Sequence, residues 1–466
     1  MDRTADALVV FGLTGDLGTR LTIPALFRLH VRDALPCDVV GIGRQERSTD
    51  EIREMARESI RRAEGEVEDD ELDGFAKRLS YVPADATDEK AIARLAEFLG
   101  PSRHTLFYLA TPPSLFSPIV ETLGRAGLTE HARVVVEKPF GHDLASAREL
   151  NAQLLEVLDD RQILRIDHFL GKEPVQDLVY LRFANELFEP VWNRHHIEAV
   201  QLNLAESFGI EGRGSFYDDV GALRDVVQNH ILQVLALVAM EPPAGGPGAI
   251  ARRRMDVLRA IPDADPADCF RGQYEGYRDE DGVDPGSETE TFAALKLEID
   301  NWRWAGVPFL IRAGKALPTT RTEVDARFRR PPPILMGTQT AEVKHHNHVS
   351  IRIGADAGAS IGVLVKDATS DSAEPVHLDV SFREHVQESP GPYERLLGDA
   401  LVGNASLFPT QRMVEELWRI VQPLLDDPPP VETYARGTWG PAAADRLAEP
   451  FGGWRNTPAD GEGRPT

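Results

Sequence analysis

The densest run of chemically able side chains is Arg165-Ile166-Asp167-His168-Phe169-Leu170-Gly171-Lys172-Glu173, in which five of nine residues ionise around a single glycine. A run so charged, at what the flanking pattern makes a strand-to-helix junction, is foreign to a hydrophobic core. His168 and Lys172 are four apart, so a helical turn would aim both the same way. An imidazole and an ammonium beside a helix N-terminus form a compact cationic seat for a phosphate. Asp167 points elsewhere and could orient an imidazole. Further along, Glu206-Ser207-Phe208-Gly209 and Gly212-Arg213-Gly214-Ser215-Phe216-Tyr217-Asp218 lead into Gly221-Ala222-Leu223-Arg224-Asp225-Val226-Val227-Gln228-Asn229-His230. His230 interrupts an apolar stripe of Leu223, Val226, Val227, Val234 and Leu237. It reads either as a satisfied core histidine or as a base whose tautomer a nearby carboxylate would fix, and spacing alone does not choose.

Three further motifs could bind a nucleotide. Val9-Val10-Phe11-Gly12-Leu13-Thr14-Gly15-Asp16-Leu17-Gly18 is a strand running through spaced glycines into a helix. Glycines there let the backbone turn tightly and approach a pyrophosphate, whose charge the helix N-terminus favours; the bare alternative is a tight turn. At the end of the second strand, Val39-Val40-Gly41-Ile42-Gly43-Arg44-Gln45, an NAD enzyme usually places an acid for the ribose 2′-hydroxyl. Arg44 stands there with Arg47 close behind, and a guanidinium suits the 2′-phosphate of NADP, unless Arg44 is merely solvated. Val134-Val135-Val136-Glu137-Lys138-Pro139-Phe140-Gly141 ends a third strand. Pro139 biases Lys138 away from the helical region. An ammonium at that edge could reach a sugar hydroxyl or the cofactor, or close a salt bridge.

These residues need a scaffold, and the pattern supplies one. Strands are expected at Ala7–Phe11, Cys37–Gly43, Arg78–Pro83, His104–Ala110 and Ala132–Val136, with helices such as Ile23–Val31, Glu51–Arg62, Glu89–Leu99 and Pro118–Ala126 between them. Such alternation implies a parallel sheet covered on both faces, an α/β Rossmann-type domain over residues 1–170. Residues 171–466 read differently: helices over 172–188, 217–240, 393–401 and 410–425, and clustered strands at 196–204, 289–299, 308–313, 323–328, 348–353, 360–366 and 376–382. Strands without intervening helices imply an α+β domain with a large, mostly antiparallel sheet. Glu64–Asp73, with seven acids, reads as a solvated loop or helix end, and the Pro- and Gly-rich tail from Glu449 as weakly ordered.

Composition narrows the partners. Lys plus Arg number 51 against 75 Asp plus Glu, a formal charge of −24 over 466 residues. That surface repels nucleic acid and anionic membranes, so a small anion needs a local cluster of cations. Only Cys37 and Cys269 are present, which excludes a disulfide scaffold and implies a reducing compartment. The start of the chain carries no targeting pattern, and the longest apolar stretch, Ile231–Met240, is far below the roughly 18 residues of a span. A cytoplasmic protein is expected. His345, His346 and His348 invite a metal reading, but a loop and strand start make them a poor cage, and no metal is expected.

Together and in order, these segments resemble the glucose-6-phosphate dehydrogenase family, across nearly the whole chain. The resemblance includes Tyr108-Leu109-Ala110-Thr111-Pro112-Pro113, Ile311-Arg312-Ala313-Gly314-Lys315 and Tyr393-Glu394-Arg395-Leu396-Leu397. It implies that His230 is the general base and Asp167 its orienting partner, overturning the core reading of His230. It implies that His168 and Lys172 hold the substrate phosphate, that Glu206, Asp225 and Lys315 contact the sugar or its surroundings, and that Lys138 faces substrate and cofactor. Gly12, Thr14, Gly15, Asp16 and Leu17, with Arg44, would line an NADP site. The implied reaction oxidises D-glucose 6-phosphate at C1 to 6-phospho-D-glucono-1,5-lactone, in a homodimer or homotetramer. Departures cluster at the phosphate: Leu21 stands where the family has Lys, Phe169 where it has Tyr, and Thr320 where a cation is common, with Arg321 next door. These leave open the same chemistry on another sugar or sugar phosphate. A catalytically weak regulatory homologue is the other alternative, against which Asp167, Lys172 and His230 all stand.

Overall fold

All of Ala7–Phe11 is buried, and its side chains part by strand periodicity into two cores, Leu8 and Val10 entering one, Ala7, Val9 and Phe11 the other. This strand, β1, sits inside a six-stranded sheet with Val39–Gly43 (β2), Leu79–Pro83 (β3), Thr105–Leu109 (β4), Arg133–Val136 (β5) and Ile163–Arg165 (β6). The order is β3-β2-β1-β4-β5-β6 and every pairing is parallel. The order reverses between β1 and β4, and the region beyond their carboxyl ends is the usual ligand site of such sheets. The computed structural model describes residues 3–100, 104–246, 248–331, 347–354, 356–366, 368–369, 373–382 and 389–457.

By contact the chain forms two compact units, and they do not follow a single cut in the sequence. The first holds residues 1–173, 245–251 and 390–415; the second holds 174–244, 252–389 and 416–466. The helix Pro392–Val402 belongs to the first unit because Leu396, Leu397, Ala400 and Leu401 complete the core beneath the helix Ile23–Val31.

The second unit is built on nine strands: Ile197–Ala205 (β7), Cys269–Tyr274 (β8), Phe292–Leu297 (β9), Phe309–Gly314 (β10), Arg321–Phe328 (β11), His348–Arg352 (β12), Gly358–Lys366 (β13), Ala373–Ser381 (β14) and Val431–Tyr434 (β15). They lie in the order β14-β13-β12-β11-β7-β10-β9-β8-β15, antiparallel except at β7/β10 and β8/β15. The parallel β7/β10 pair sets Ala205 opposite Gly314, so Glu206 and Lys315 leave the sheet side by side.

Several local expectations change. The helix expected over 217–240 is a short turn, Gly214–Asp218, then a helix whose Leu223–Ile231 stretch is π-helical, closing its hydrogen bonds on the fifth residue back. The acidic run divides, with Asp69–Lys77 helical and Asp69, Asp70 and Glu71 in its first turn, where the dipole favours them. The described part of the tail, residues 449–457, is held in place: the Trp454 indole donates to the Ala444 carbonyl, Gln201 holds Gly453 and Arg455, and the Thr457 hydroxyl donates to Glu323. His348 lies on β12, whereas His345 and His346 fall outside the described residues. Among the described residues no helix is long and apolar enough to cross a membrane.

Candidate active site

In the first unit the glycine motif forms the turn its sequence asks for. Gly12 ends β1 at φ +82°, and a Cβ there would sit 2.4 Å from the Ala110 carbonyl oxygen. The Gly12 amide donates to Ile42, and the Gly15 amide returns to the Gly12 carbonyl at 2.9 Å. The helix then starts at Asp16 and Leu17, and a Cβ on Gly18 would strike the Leu13 carbonyl at 2.2 Å. Gly15 and Asp16 are exposed at this helix start, at the switch point. The turn thus presents backbone amides and no side-chain bulk where a pyrophosphate would lie. The Thr14 hydroxyl is spent on the Tyr81 phenol, which also donates to the Gly43 and Gln45 carbonyls and so fixes the backbone on both sides of Arg44. Arg44 is exposed, while Arg47 turns a guanidinium nitrogen to the Met55 sulfur at 3.8 Å.

Lys138 is half-buried beyond β5, and directly before it stands a buried group that sequence reasoning gave no role. The Glu137 carboxylate accepts from the Tyr108 phenol at 2.6 Å and from the Tyr393 phenol at 3.4 Å. Burial pushes Glu137 up to about 7, and both phenols rise above the usual tyrosine range, chiefly by burial.

The charged nine-residue run divides by role. Arg165 is core: it is 1% exposed, bound to Asp160 at 3.1 Å and to Asn151 at 3.0 Å. Asp167 is also buried, one oxygen accepting the Phe169 amide at 3.0 Å. Residues 167–172 form successive four-residue turns instead of the expected helical turn, because the Leu170, Gly171 and Lys172 amides bond back three residues to Asp167, His168 and Phe169. The two cations still come together, through a ring. The Lys172 Nζ lies 3.5 Å from the Phe169 ring centroid, and the His168 ring meets the same ring edge-on at 5.2 Å.

In the second unit, Lys315 is 3% exposed and its Nζ bonds a Glu206 oxygen at 2.5 Å, with an Asp225 oxygen at 4.0 Å. The rings of Phe208 and Tyr217 flank it. Asp225 and His230 are five apart, one turn of the π-helical ladder, a relation that α-helical spacing hides. His230 is 1% exposed, and its backbone amide donates to the Asn229 side chain. Thr320 is no stand-in for a cation: its hydroxyl accepts the Ser207 amide at 3.0 Å and pairs with the Ser207 hydroxyl. Leu21 is exposed.

Family models match both halves of the chain: "Glucose-6-phosphate dehydrogenase, NAD binding domain" over residues 9–177 and "Glucose-6-phosphate dehydrogenase, C-terminal domain" over residues 179–455. The chain belongs to the glucose-6-phosphate dehydrogenase family. "Glucose-6-phosphate 1-dehydrogenase 1" of Mycobacterium tuberculosis is 49% identical over 455 residues, covering 97% of this chain and 96% of that one. "Glucose-6-phosphate 1-dehydrogenase 2" of the same organism is 39% identical over 470 residues, 94% and 91% of the two chains. Among solved structures, glucose-6-phosphate 1-dehydrogenase from Mycobacterium avium superposes with a TM-score of 0.91 at 48% identity, covering 97% of this chain and 99% of that one. A glucose-6-phosphate dehydrogenase in complex with its substrate, glucose-6-phosphate, gives 0.90 at 33% identity, covering 98% and 100%. As a member of this glucose-6-phosphate dehydrogenase family, the chain carries Phe169 as a packing platform for Lys172, and its Tyr108–Glu137–Tyr393 network behind Lys138.

Proposed function

We propose that the protein oxidises D-glucose 6-phosphate at C1 to 6-phospho-D-glucono-1,5-lactone with NADP as acceptor. The observation that carries this reading is the buried Lys315 between Glu206 and Asp225, with His230 one helical turn from Asp225. Alternating carboxylates and an ammonium suit the vicinal hydroxyls of a sugar ring, each accepting or donating in a fixed direction. The glycine turn fits a dinucleotide, since a Cβ at Gly12 or Gly18 would collide with backbone. Gly12, Thr14, Gly15, Asp16 and Leu17 would hold it, with Arg44 at the 2′-phosphate and Lys138 at the substrate-facing edge. When bound, NADP supplies a hydride acceptor.

The chain's own residues do the rest. His230 accepts the C1 hydroxyl proton, and its burial keeps bulk water from competing for that proton. Asp167 fixes the imidazole tautomer and stabilises the imidazolium. Glu206, Asp225 and Lys315 orient the ring, while His168 and Lys172 hold the phosphate. These roles rest on the family's motifs. Exposed Leu378 and Val380 on β14 support the homodimer or homotetramer expected from sequence, a state that sedimentation reads directly.

The test is turnover followed by NADPH absorbance, on glucose 6-phosphate, glucose and other sugar phosphates, with NADP and NAD. Glucose 6-phosphate with NADP should lead; preference for another sugar would overturn the substrate. His230→Asn should lower kcat at least about a hundredfold with a smaller change in KM, as loss of a general base does. Near wild-type turnover in that variant removes His230 from the mechanism.

A further inference from the structure

A buried carboxylate that none of the proposed chemistry uses holds the start of the helix bearing Asp225 and His230. Glu290 precedes β9 and is 3% exposed. One carboxylate oxygen accepts the Leu223 amide at 3.0 Å, and its backbone carbonyl accepts the Ala222 amide at 2.9 Å. Two successive donors at the start of this helix therefore end on one residue. Gly221 makes the approach possible: it sits at φ +69°, and a Cβ there would lie 2.5 Å from the same Glu290 oxygen. The other carboxylate oxygen is gripped by Arg271 of β8, whose Nε and Nη2 lie 3.1 and 3.0 Å away. Arg271 is itself anchored, donating to the Glu288 and Pro429 carbonyls.

The next residue extends the grip to the sugar-facing lysine. The Lys315 amide donates to the Thr291 carbonyl at 2.9 Å, and the Tyr434 phenol joins the Lys315 carbonyl at 2.7 Å. Asp218, just before the helix, is clasped from the same loop by the hydroxyls of Ser287 and Tyr277 and by the Asp284 amide. Residues 290–291 thus fasten the Asp225–His230 helix and the Lys315 strand end to one piece of backbone.

We propose that Glu290 is a positioning residue that sets the register of Asp225 and His230 against Lys315. It touches no reacting atom. Its effect passes through the Leu223 and Ala222 amides, and the 4.0 Å gap between Asp225 and Lys315 is the distance it governs. The inference rests on the function proposed above.

Glu290→Ala alone would strand a buried guanidinium and could unfold the unit, so the test removes both charges. Arg271→Met/Glu290→Met keeps apolar volume but leaves the Leu223 amide without its acceptor. Arg271→Met/Glu290→Gln keeps an amide oxygen for it. Wild type and both double variants are compared by melting temperature, kcat, KM for glucose 6-phosphate and NADP, and calorimetric titration with glucose 6-phosphate alone. The Met/Met enzyme should still melt cooperatively, below wild type because the Leu223 amide and the Glu288 and Pro429 carbonyls lose partners, yet lose kcat by about ten- to a hundredfold, the scale of a misplaced catalytic group, with KM for NADP unchanged. The Met/Gln enzyme should recover most of that kcat. Equal turnover in wild type and a folded Met/Met enzyme, or no recovery in Met/Gln, overturns the proposal. If Met/Met fails to melt cooperatively, Met/Gln decides alone: wild-type melting with kcat still lost overturns the assignment. A wild-type protein that does not turn over glucose 6-phosphate is instead a failure of the proposed function, which the same plate reports separately.

Discussion

Arg44 stands exposed between two carbonyls pinned by one tyrosine, so its guanidinium projects from a backbone that cannot drift. A charged hydrogen bond there is worth roughly 1.5–3 kcal/mol, so Arg44→Ala should weaken NADP about ten- to a hundredfold and leave NAD almost unchanged. Arg47 already faces Met55, so Arg47→Ala should do less. KM for both cofactors in the two single variants and the double variant checks this; an unchanged NADP to NAD preference in the double variant refutes it. Lys172 tests the other phosphate. Lys172→Ala should raise KM for glucose 6-phosphate about tenfold or more and scarcely affect free glucose, because a phosphate contact made alike in ground and transition states is uniform binding. Equal losses on both sugars would place Lys172 elsewhere.

The end of β5 shows what an element adds to its residues. Glu137 is fastened to Tyr108 at the end of β4 and to Tyr393 on the helix Pro392–Val402. Burial lifts this carboxyl from 4.5 to about 7. Between those values the folded chain keeps a proton that the unfolded chain has lost, so stability falls as pH rises through that window and levels off above it. The difference is about 3 kcal/mol. Glu137→Gln should flatten this loss, measured as melting temperature at pH 5 and pH 8; parallel losses in variant and wild type would mean the carboxyl is not held neutral. Tyr108 and Tyr393 both stand in segments whose resemblance was plain from sequence, yet their meeting on Glu137 is a tertiary fact with no local signal. The β1 turn was legible because glycine spacing and strand hydrophobicity are local. Strands β8 and β15 were not: β8 buries Arg271 and Gln273 to serve a loop, breaking the apolar alternation, and β15 is four residues long. His230 was legible as a motif, but its relation to Asp225 was hidden because the helix winds in steps of five.

At the scale of the chain, described segments near both ends of the sequence are bound into the units they serve. The Arg312 guanidinium is 1% exposed and lies between the Trp439 and Trp454 rings, 4.3 and 4.7 Å away, with Asn456 accepting at 2.9 Å. Trp454→Ala should lower the stability of this unit by about 1–2 kcal/mol through the lost cation–π contact, and Trp454→Phe by less. Melting curves decide it, and a Trp454→Ala protein that melts with wild type shows that the ring does not hold the tail. At the other end, the Ala5 amide bonds the Leu401 carbonyl at 2.7 Å, and Arg133 reaches the Ala400 and Leu401 carbonyls. The first sheet therefore lacks part of its covering until residues 390–415 exist. A ribosome adding about 5–20 residues per second delivers them roughly 10–50 s after Glu173. For that interval the nascent chain carries a parallel sheet whose helix Ile23–Val31 lacks the cover that Gly398 gives Leu29, a target for chaperones that the finished protein does not show.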